Sequence, residues 1–498
     1  MNQLKIYLFP AIIFLILCHC KPNPIPSDTL TVALDSEPKT LDPRKATDAN
    51  GMRLAGLLFH GLVKIGPDLK IQPDGAKSWI QKNRTYTFFL KDLTFSNGRP
   101  VTRDDLLFTF DEFQKTSSPF HSAFKNIESI HVEREKGILK LQISLKKFSA
   151  VFLSADLPII KILPKKEALK KDFHKNPIGT GIFKLKKKTS RKIVLERRFP
   201  SEPNLPKYIS FLIIRDAITR VQKILAGEVD IAPSVVSPEK TFLFSEKDFQ
   251  ILSAQGLSTA YLLLNLKNPY LKNKEVRKAL SQAIHREEII QYKLKGYGLL
   301  AVSLISPQNF FFNKTLANPP FDPEKARQII QKHKLENITL SLACSNNQNS
   351  RDKATVLVSQ LNKTGLKISL GTAEWGTFYE DLSRGQFDMA FLKWVGVTDP
   401  DIYNLAFHSK NQAPKGRNRS FYDNRILDEL LEKGLREKNP WERKKIYDKV
   451  QSLINEDIAI IPLWHNKEIS ITKKGIKNYV LPANGDFSTL HKVIKPLH

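Results

Sequence analysis

The spacing of apolar and polar residues along the chain predicts a mixed α/β fold. Residues 30–34 and 208–214 are apolar, β-rich runs of strand length, and residues 138–145 alternate as a half-buried strand does. Residues 104–113 have the apolar spacing of a helix, and Thr102 precedes them as an N-cap. Strands and helices are therefore both predicted, which is the pattern of the α/β class.

The C-terminal half carries longer helical signals. Residues 276–294 form one long amphipathic stretch that ends at Gly296. Asp322 and Pro323 open a further helix, with the aspartate at the N-cap and the proline in the first turn. Two more helical stretches follow, at residues 352–361 and 427–454.

The size and charge of the chain narrow the classes of protein it can be. At 498 residues it exceeds what one compact core accommodates, so two or three lobes are expected. The net charge of +28 is compatible with binding to nucleic acid, to an anionic membrane surface or to acidic ligands. The lysines are dispersed, however, and no aromatic-and-basic motif of a nucleic-acid-binding module accompanies them. We therefore expect no nucleic-acid partner and a solvated, lysine-rich surface, with a functional polyanion site as the alternative.

The N-terminal segment has the pattern of an export signal. An apolar run at residues 6–17 has the length of a signal-peptide core and is too short for a stable membrane anchor. The segment resembles a bacterial lipoprotein leader, which predicts residues 1–20 as leader, residues 21–28 as a tether and Cys20 as the lipidated residue. The protein is then periplasmic and anchored to the cell envelope. His19 replaces the small residue expected before the cysteine, so a plain cleaved leader is the alternative.

Motifs of catalysis and metal binding are missing from the sequence. It contains no Gly-x-Ser-x-Gly elbow, no His-Glu-x-x-His helix and no Cys-x-x-Cys pair. Residues 296–298 mimic part of a dinucleotide fingerprint, but they follow a predicted helix and more simply end it. The 11 histidines are scattered without ligand spacing, and Cys344 alone is typical of a small core residue. We expect no enzyme activity, no cofactor and no metal site.

Ordered sequence blocks along the chain carry the clearest functional signal. They include Ser-Glu-Pro-Lys-Thr-Leu-Asp-Pro at 36–43, Asn-Pro-Ile-Gly-Thr-Gly at 176–181 and Gly-Glu-Val-Asp-Ile-Ala at 227–232. Further blocks follow in order at residues 276–284, 321–326, 374–375, 394, 399–400 and 460–463. Together they resemble the extracytoplasmic solute-binding proteins of peptide- and nickel-type ABC permeases. The resemblance extends over residues 29–465.

This resemblance implies a two-lobed periplasmic-binding-protein fold of type II, a hinged clamshell with an extra domain inserted in the first lobe. The first lobe is expected to combine residues 29–57, 178–268 and 470–498. The inserted domain is expected at 58–177, and the second lobe at 269–469. Composition alone does not place these boundaries.

The resemblance also implies a function without chemistry. Proteins of this family capture a ligand between the lobes and deliver it to the membrane subunits of an ABC permease. We predict that this chain captures short peptides, as a monomer held at the membrane by its lipid anchor. A non-peptide cargo (a metal chelate, haem or a small conjugate) is the alternative within the same fold. A surface adhesin is an alternative of a different class, supported by the positive charge.

The loop after the first strand, residues 35–41, is the expected ligand contact of the first lobe. Peptide-binding members hold an extended ligand by main-chain hydrogen bonds to strand-like segments. Glu37 and Pro38 are the candidate residues of this loop, and a plain turn at the proline is the alternative. Glu37 is also a candidate acid for the ammonium group of a peptide.

Two tryptophans are the expected ligand contacts of the second lobe. Trp375 and Trp394 match, in order and spacing, the two ligand-facing tryptophans of the family. Large flat aromatic rings cover varied ligand side chains at a small entropic cost. Core packing beside Phe378 and Phe391 is the alternative.

The segment after Trp394 departs from the peptide-binding pattern. Peptide-binding relatives place an aspartate three residues further on, where it pairs with the ammonium group of the peptide. That position is Val397 here, preceded by Gly396, and both are kept as candidate ligand contacts. Either Asp399 takes over this role by a shift in register, or the ammonium site is lost. Asp399 also suits the start of a helix at 401–407, which is its alternative role.

Overall fold

The computed structural model describes residues 28–199 and 205–496. The predicted leader, Cys20 and the tether up to residue 27 lie outside the described residues, so their roles stay predictions. Strands and helices both occur along the described chain, which confirms the predicted α/β class.

Secondary structure covers most of the described chain. The strands are β1 (Thr29–Leu34), β2 (Val63–Ile65), β3 (Ile71–Pro73), β4 (Ala76–Lys82), β5 (Thr85–Leu90), β6 (Ile127–Glu135), β7 (Ile138–Leu145), β8 (Phe183–Lys188), β9 (Lys192–Arg197), β10 (Tyr208–Ile213), β11 (Ile231–Pro233), β12 (Phe249–Leu264), β13 (Gly298–Leu300), β14 (Thr339–Ser345), β15 (Lys367–Ala373), β16 (Met389–Trp394) and β17 (Ile460–Lys473). The α-helices are α1 (Ala49–Leu58), α2 (Arg103–Gln114), α3 (His121–Phe124), α4 (Lys165–Ala168), α5 (Ala217–Leu225), α6 (Lys274–Gln282), α7 (Arg286–Glu288), α8 (Pro323–Lys332), α9 (Gln348–Asn362), α10 (Trp375–Arg384), α11 (Ile402–Phe407), α12 (Arg425–Arg436) and α13 (Pro440–Asp457). Short 3₁₀ or π segments lie at Phe152–Asp156, Leu157–Ile159, Pro238–Leu243, Ile289–Lys293, Ser409–Asn411 and Leu490–Lys492.

One large mixed sheet of 11 strands runs through the molecule. Its order is β15-β14-β16-β12-β17-β11-β1-β10-β9-β8, and β13 pairs with β17 beside this path. A separate antiparallel sheet has the order β4-β5-β7-β6, and β2 with β3 forms a small pair. The four-stranded sheet falls within the segment predicted as the inserted domain. The division into domains itself stays a prediction.

Two long antiparallel strands, β12 and β17, connect the halves of the large sheet. The first part of β12 pairs only with β17, whereas its last part also pairs with β16, from Thr259 to Leu264. The pairing of β12 with β17 is interrupted between Gln255 and Thr259. Gly256 lies in this interruption, where an added Cβ would come within 2.5 Å of the Asn466 carbonyl oxygen. A second irregularity follows between Ala260 and Tyr261, so both strands pass from one half of the sheet to the other through an irregular stretch.

Several of these elements form where local signals in the sequence predicted them. The side chains of β7 alternate between exposed or half-buried and buried along its whole length. Thr102 caps α2 in a capping box: its hydroxyl accepts the Asp105 backbone N–H, and the Asp105 carboxylate accepts the Thr102 backbone N–H. Asp322 caps α8 by accepting the Lys325 N–H at 2.9 Å, and Pro323 occupies the first helical position. Each such N-cap stabilises its helix by about 1 kcal/mol.

The prediction of one long helix at 276–294 is wrong. Helix α6 ends at Gln282, and His285 leaves the helical conformation with φ −81° and ψ 82° before α7 begins. The cause is Arg286, whose buried guanidinium donates to the carbonyl oxygens of Pro462 at 2.9 Å and Ser281 at 3.1 Å. A continuous helix would not bring this side chain back onto β17. The helical pattern resumes in a short turn before Gly296, which has φ +79°.

The core covers both faces of the large sheet. Along β12, Tyr261 and Leu263 belong to one apolar cluster, whereas Leu262 and Leu264 belong to another on the opposite face. Cys344 is fully buried in the second of these clusters, which confirms its prediction as a core residue. Such two-sided burial is typical of the central strands of α/β proteins.

Candidate ligand-binding site

The loop at residues 35–41 leaves the end of β1 and is fixed by the start of α1. The Asn50 side chain donates to the Asp35 carboxylate at 3.1 Å and to the Ser36 carbonyl oxygen at 3.0 Å. The Asp48 carboxylate accepts the Lys39 N–H at 3.2 Å. Pro38, within the loop, is buried. The backbone of the loop is therefore held in place before any ligand arrives.

The carboxylate of Glu37 is already neutralised within the protein. It lies 3.3 Å from the Lys188 ammonium group and 3.4 Å from the Arg215 guanidinium group. Two cations beside one carboxylate leave no net negative charge for the ammonium group of a peptide. The structure therefore gives no support to Glu37 as a compensating acid.

Trp394 ends β16 and stacks on a tyrosine of the neighbouring strand. Its ring lies parallel to that of Tyr261, at 6.5 Å between centroids and 10° between planes. The half-buried indole lines a shallow pocket together with Phe407, Arg417 and Arg419. The pocket has a volume of only about 10 Å³, so what it offers a ligand is an aromatic surface beside arginine side chains.

Trp375 is the first residue of α10, and 55% of its surface is exposed. Its ring lies 5.9 Å from Phe378 and 6.1 Å from Tyr379, between centroids. Phe391, the other proposed packing partner, lies instead against Trp464 at 5.8 Å. Trp375 thus packs against Phe378 but remains largely exposed, and contact with a ligand stays its predicted role.

Gly396 and Val397 form the turn after Trp394. Gly396 is exposed with φ +67°, a conformation that favours glycine. Val397 donates its N–H to the Leu257 carbonyl oxygen at 2.9 Å, and only 4% of the residue is exposed. Its side chain joins the apolar cluster that contains Tyr403. An aspartate at this position would be buried among apolar groups, so valine here belongs to the packing of the turn.

Asp399 is committed to an arginine from a distant helix. The Arg443 guanidinium binds both carboxylate oxygens, at 2.8 and 3.2 Å, and both side chains are nearly inaccessible to water. Asp399 also accepts the Asp401 N–H at 2.9 Å, just before α11 begins at Ile402 with Asp401 as its N-cap. The Ser154 hydroxyl, from the segment after β7, donates to Asp399 at 3.3 Å. The carboxylate therefore joins the helix start, α13 and the segment after β7.

Two further aspartates lie beside this pair, and we call Asp156, Asp399, Asp401 and Arg443 together the acidic contact. Burial raises the pKa of Asp156 to about 7, with additional repulsion from Asp401 and Asp399. Burial, and then the charge of Asp399, raise the pKa of Asp401 to about 6. One buried carboxylate oxygen of Asp401 has no hydrogen-bond partner among the described residues. The acidic contact thus holds three acids and one guanidinium between the segment after β7 and helices α11 and α13.

Sequence reasoning missed Asp156 and Arg443. Arg443 lies 44 residues after Asp399, and nothing local links the two. Asp156 gave a weak signal, because it is an acid inside the apolar segment Phe152–Ile159, where a charge has few ways to reach water.

The described residues offer no other obvious chemistry. Within residues 28–199 and 205–496, no group of three or more His, Cys, Asp and Glu side chains is placed to hold a metal ion. The helices of the same residues include none with the length and apolar character that a membrane span needs.

Comparison with known proteins gives one family and a consistent set of relatives. The sequence model of the bacterial extracellular solute-binding proteins, family 5 (middle region), matches residues 70–415. The chain is 25% identical to di/tripeptide-binding protein 1 of Pseudomonas aeruginosa, over 96% of both chains. It is 24% identical to the dipeptide-binding protein of Escherichia coli, over 93% of this chain and 94% of that protein.

A solved structure supports the same relationship. The ABC transporter substrate-binding protein CtaP from Listeria monocytogenes superimposes with a TM-score of 0.84 and 26% identity, over 94% of this chain and 99% of that one. The two-lobed α/β fold that the sequence predicted is confirmed by this match and by the family.

Proposed function

The chain belongs to the bacterial extracellular solute-binding proteins, family 5, and we propose that it captures short peptides and delivers them to an ABC permease. The family match over residues 70–415 carries this proposal. The relatives that bind dipeptides or tripeptides align with nearly the whole chain, which supports peptides as the cargo. The ligand leaves chemically unchanged, because the proposed role is capture and release.

The two long strands supply the proposed hinge. The longer of the two irregularities in the β12–β17 ladder lies between Gln255 and Thr259 and has no regular pairing, so bending there breaks few hydrogen bonds. We place the hinge at this level, which lies before the boundary between 268 and 269 that the sequence suggested. Closure about this hinge is the change that the permease reads.

Recognition is proposed to rest on main-chain and aromatic contacts more than on the peptide's ammonium group. Val397 is buried, Asp399 is bound by Arg443, and Glu37 is bound by Lys188 and Arg215. Glu37, Val397 and Asp399 therefore offer no free carboxylate to a ligand. A peptide-binding protein of this design tolerates a blocked N-terminus.

This design is tested by comparing one peptide with its N-acetylated form by calorimetry. We expect dissociation constants within about three-fold of each other, because no desolvated charge pair is lost. A loss of about 100-fold or more on acetylation would show a charge-paired ammonium group, as expected for a buried pair worth several kcal/mol. That result would contradict relaxed recognition and would make Asp156 and Asp401 the next residues to substitute.

The cargo itself is tested by mass spectrometry of the small molecules that are released when the protein is denatured. For this experiment the protein is produced in a periplasm, and its own leader is left out. A series of heterogeneous peptides of similar length supports the peptide proposal. A single non-peptide mass favours the second candidate, a chelate, haem or small conjugate in the same cleft, which the buried Val397 supports. If no cargo is released, titration with di-, tri- and longer peptides decides, and indifference to all of them contradicts the peptide proposal.

The aromatic contacts are tested by Trp394→Ala and Trp375→Ala. Each is expected to weaken peptide binding by about ten-fold or more, because a large ring that covers the ligand is removed. Tyr292→Ala is the matched control, since Tyr292 is an aromatic residue with 65% exposure outside the proposed site. Equal effects of all three substitutions would remove the tryptophans from the proposal.

Anchoring and assembly complete the proposal. We propose lipidation at Cys20, cell-envelope attachment in the periplasm and a monomeric state. Labelling with a fatty-acid analogue should be lost in Cys20→Ala and kept in Cys18→Ala, which changes the neighbouring cysteine of the leader. Absence of label from the unaltered protein would favour a plain cleaved leader, and label retained in Cys20→Ala would place the lipid on another residue. Size-exclusion chromatography with light scattering tests the monomer.

A further inference from the structure

A cavity of about 750 Å³ lies between the four-stranded sheet and the hairpin of α12 and α13. Five of its eight lining residues are cationic and none is acidic. We call it the basic cavity, and its cations are Arg84, Lys146, Lys147, Arg436 and Lys438. We infer that the basic cavity binds a small, soluble, multivalent oxyanion, such as an oligophosphate, and that the bound anion braces its two walls.

The wall formed by the four-stranded sheet holds its cations on a fixed backbone. The Asn126 side chain donates to the Lys147 carbonyl oxygen at 2.8 Å and accepts the Lys147 N–H at 3.1 Å. The Arg84 guanidinium donates to the Lys146 carbonyl oxygen at 2.9 Å. These bonds fix the main chain from which the lysine side chains project, so less order has to be gained when an anion binds.

The opposite wall is fixed by the same arginine that binds Asp399. Arg443 donates to the Gly434 carbonyl oxygen at 3.1 Å, which holds the last turn of α12 next to the lining residues Leu435, Arg436 and Lys438. Lys438 reaches across the gap, and its ammonium nitrogen lies 5.4 Å from the centre of the Phe148 ring. The two walls are thus already close enough for one ligand to contact both.

The cations of the basic cavity are only partly balanced by the protein. Glu128 lies 3.3 Å from Arg84, and Glu432 lies 3.4 Å from Arg436. In the part of the chain that the structure describes, no carboxylate lies within 4.0 Å of the ammonium groups of Lys146, Lys147 and Lys438. Like charges on facing walls repel, and a multivalent oxyanion converts that repulsion into several charge-assisted hydrogen bonds.

The size of the cavity and the number of cations favour a compact anion with several charges. A single carboxylate satisfies only one or two of these donors, whereas an oligophosphate presents many acceptor oxygens in a small volume. The exposed positions of the cations make the affinity dependent on ionic strength. The cavity shares no lining residue with the proposed peptide contacts at Trp375 and Trp394.

The test is calorimetric titration of the full mature chain with sodium tripolyphosphate at low ionic strength. The test variant, Lys147→Glu with Lys438→Glu, reverses one charge on each wall. The control variant, Lys171→Glu with Lys449→Glu, makes the same change of net charge at two exposed lysines that do not line the cavity. We expect the test variant to lose at least about ten-fold in affinity and the control variant less than about three-fold.

Each single substitution should also weaken binding if the anion contacts both walls. Lys147→Gln with Lys438→Gln repeats the test should charge reversal prevent folding, and peptide binding measured in the absence of tripolyphosphate shows that each variant is folded. Equal losses in test and control variants would show attraction to the overall charge and overturn the site. No binding of tripolyphosphate by the unaltered protein at millimolar concentration overturns it as well. A further outcome is that the unaltered protein sediments with phosphatidylglycerol vesicles, the test variant does not, and neither binds tripolyphosphate. That outcome would assign the cations to a membrane surface instead.

Discussion

The acidic contact and the basic cavity are linked through Arg443, which binds Asp399 and also the Gly434 carbonyl oxygen next to the cavity, and they use charge in opposite ways. In the acidic contact, the side chains of Asp399 and Arg443 are 9% and 6% exposed, so each charge requires its partner. In the basic cavity, the cations Lys147 and Lys438 are exposed, and water screens their repulsion. In these two regions the role of a charge therefore depends on its burial. Buried charges hold the fold together, whereas exposed charges remain available to a ligand.

The largest expected effect comes from breaking the buried pair. Arg443→Met should lower the free energy of unfolding by about 3–5 kcal/mol, because Asp399 is left buried without a cation. The Gly434 carbonyl oxygen loses its donor in the same variant. Urea denaturation at neutral pH measures the change. Arg436→Met, on the exposed side of the same hairpin, is the control and should cost less than about 1 kcal/mol. Similar losses in the two variants would erase the difference between the two regions.

The next effect is the pH dependence of the acidic contact. The pKa of Asp156 is raised to about 7 in the folded protein from an ordinary value of 3.8, so the folded state favours the protonated acid. Its contribution to stability is complete below pH 3.8 and is lost as the pH rises through about 7.

Asp156→Asn removes this dependence. At pH 8 the variant should be more stable than the unaltered protein by about 2–4 kcal/mol, and at pH 4 the difference should nearly vanish. Guanidinium denaturation at both pH values measures it, and Asp172→Asn, an exposed acid nearby in sequence, is the control. A difference that stays constant from pH 4 to pH 8 would refute the raised pKa.

The smallest expected effect is on stability when cations of the basic cavity are neutralised. Lys147→Gln and Lys438→Gln should each change the free energy of unfolding by less than about 0.5 kcal/mol, because exposed charges away from caps and cores contribute little. The same denaturation experiments measure this. A large loss of stability in either variant would mean that the basic cavity is part of the fold and is not a free binding surface.

Much of the secondary structure could be predicted, because its determinants are local. The N-caps at Thr102 and Asp322 act on residues three positions away, and the alternation along β7 reports one buried face. The helix predicted at 276–294 failed at His285, because Arg286 is drawn to Pro462, 176 residues further along the chain. No periodicity within the stretch contains that interaction.

The candidate site shows the same limit. The sequence could identify Trp375, Trp394 and Asp399 as candidates, since residue type and spacing carry the family pattern. It could not show that Asp399 is bound by Arg443 or that Glu37 lies between two cations, because each partner is distant in sequence. A carboxylate that looks available in a sequence can already be neutralised in the fold.

The α/β class, the principal helix caps, the strand faces and membership of the family could all be inferred from patterns along the chain. These depend on hydrogen bonds within a few residues, on the period of burial and on ordered blocks of residues. Only the tertiary structure decided which charges are paired, where β12 and β17 lose their register and which cations meet in the basic cavity. The physical reason is that electrostatic energy depends on burial and on distance in space, and both are set by residues that lie far apart along the chain.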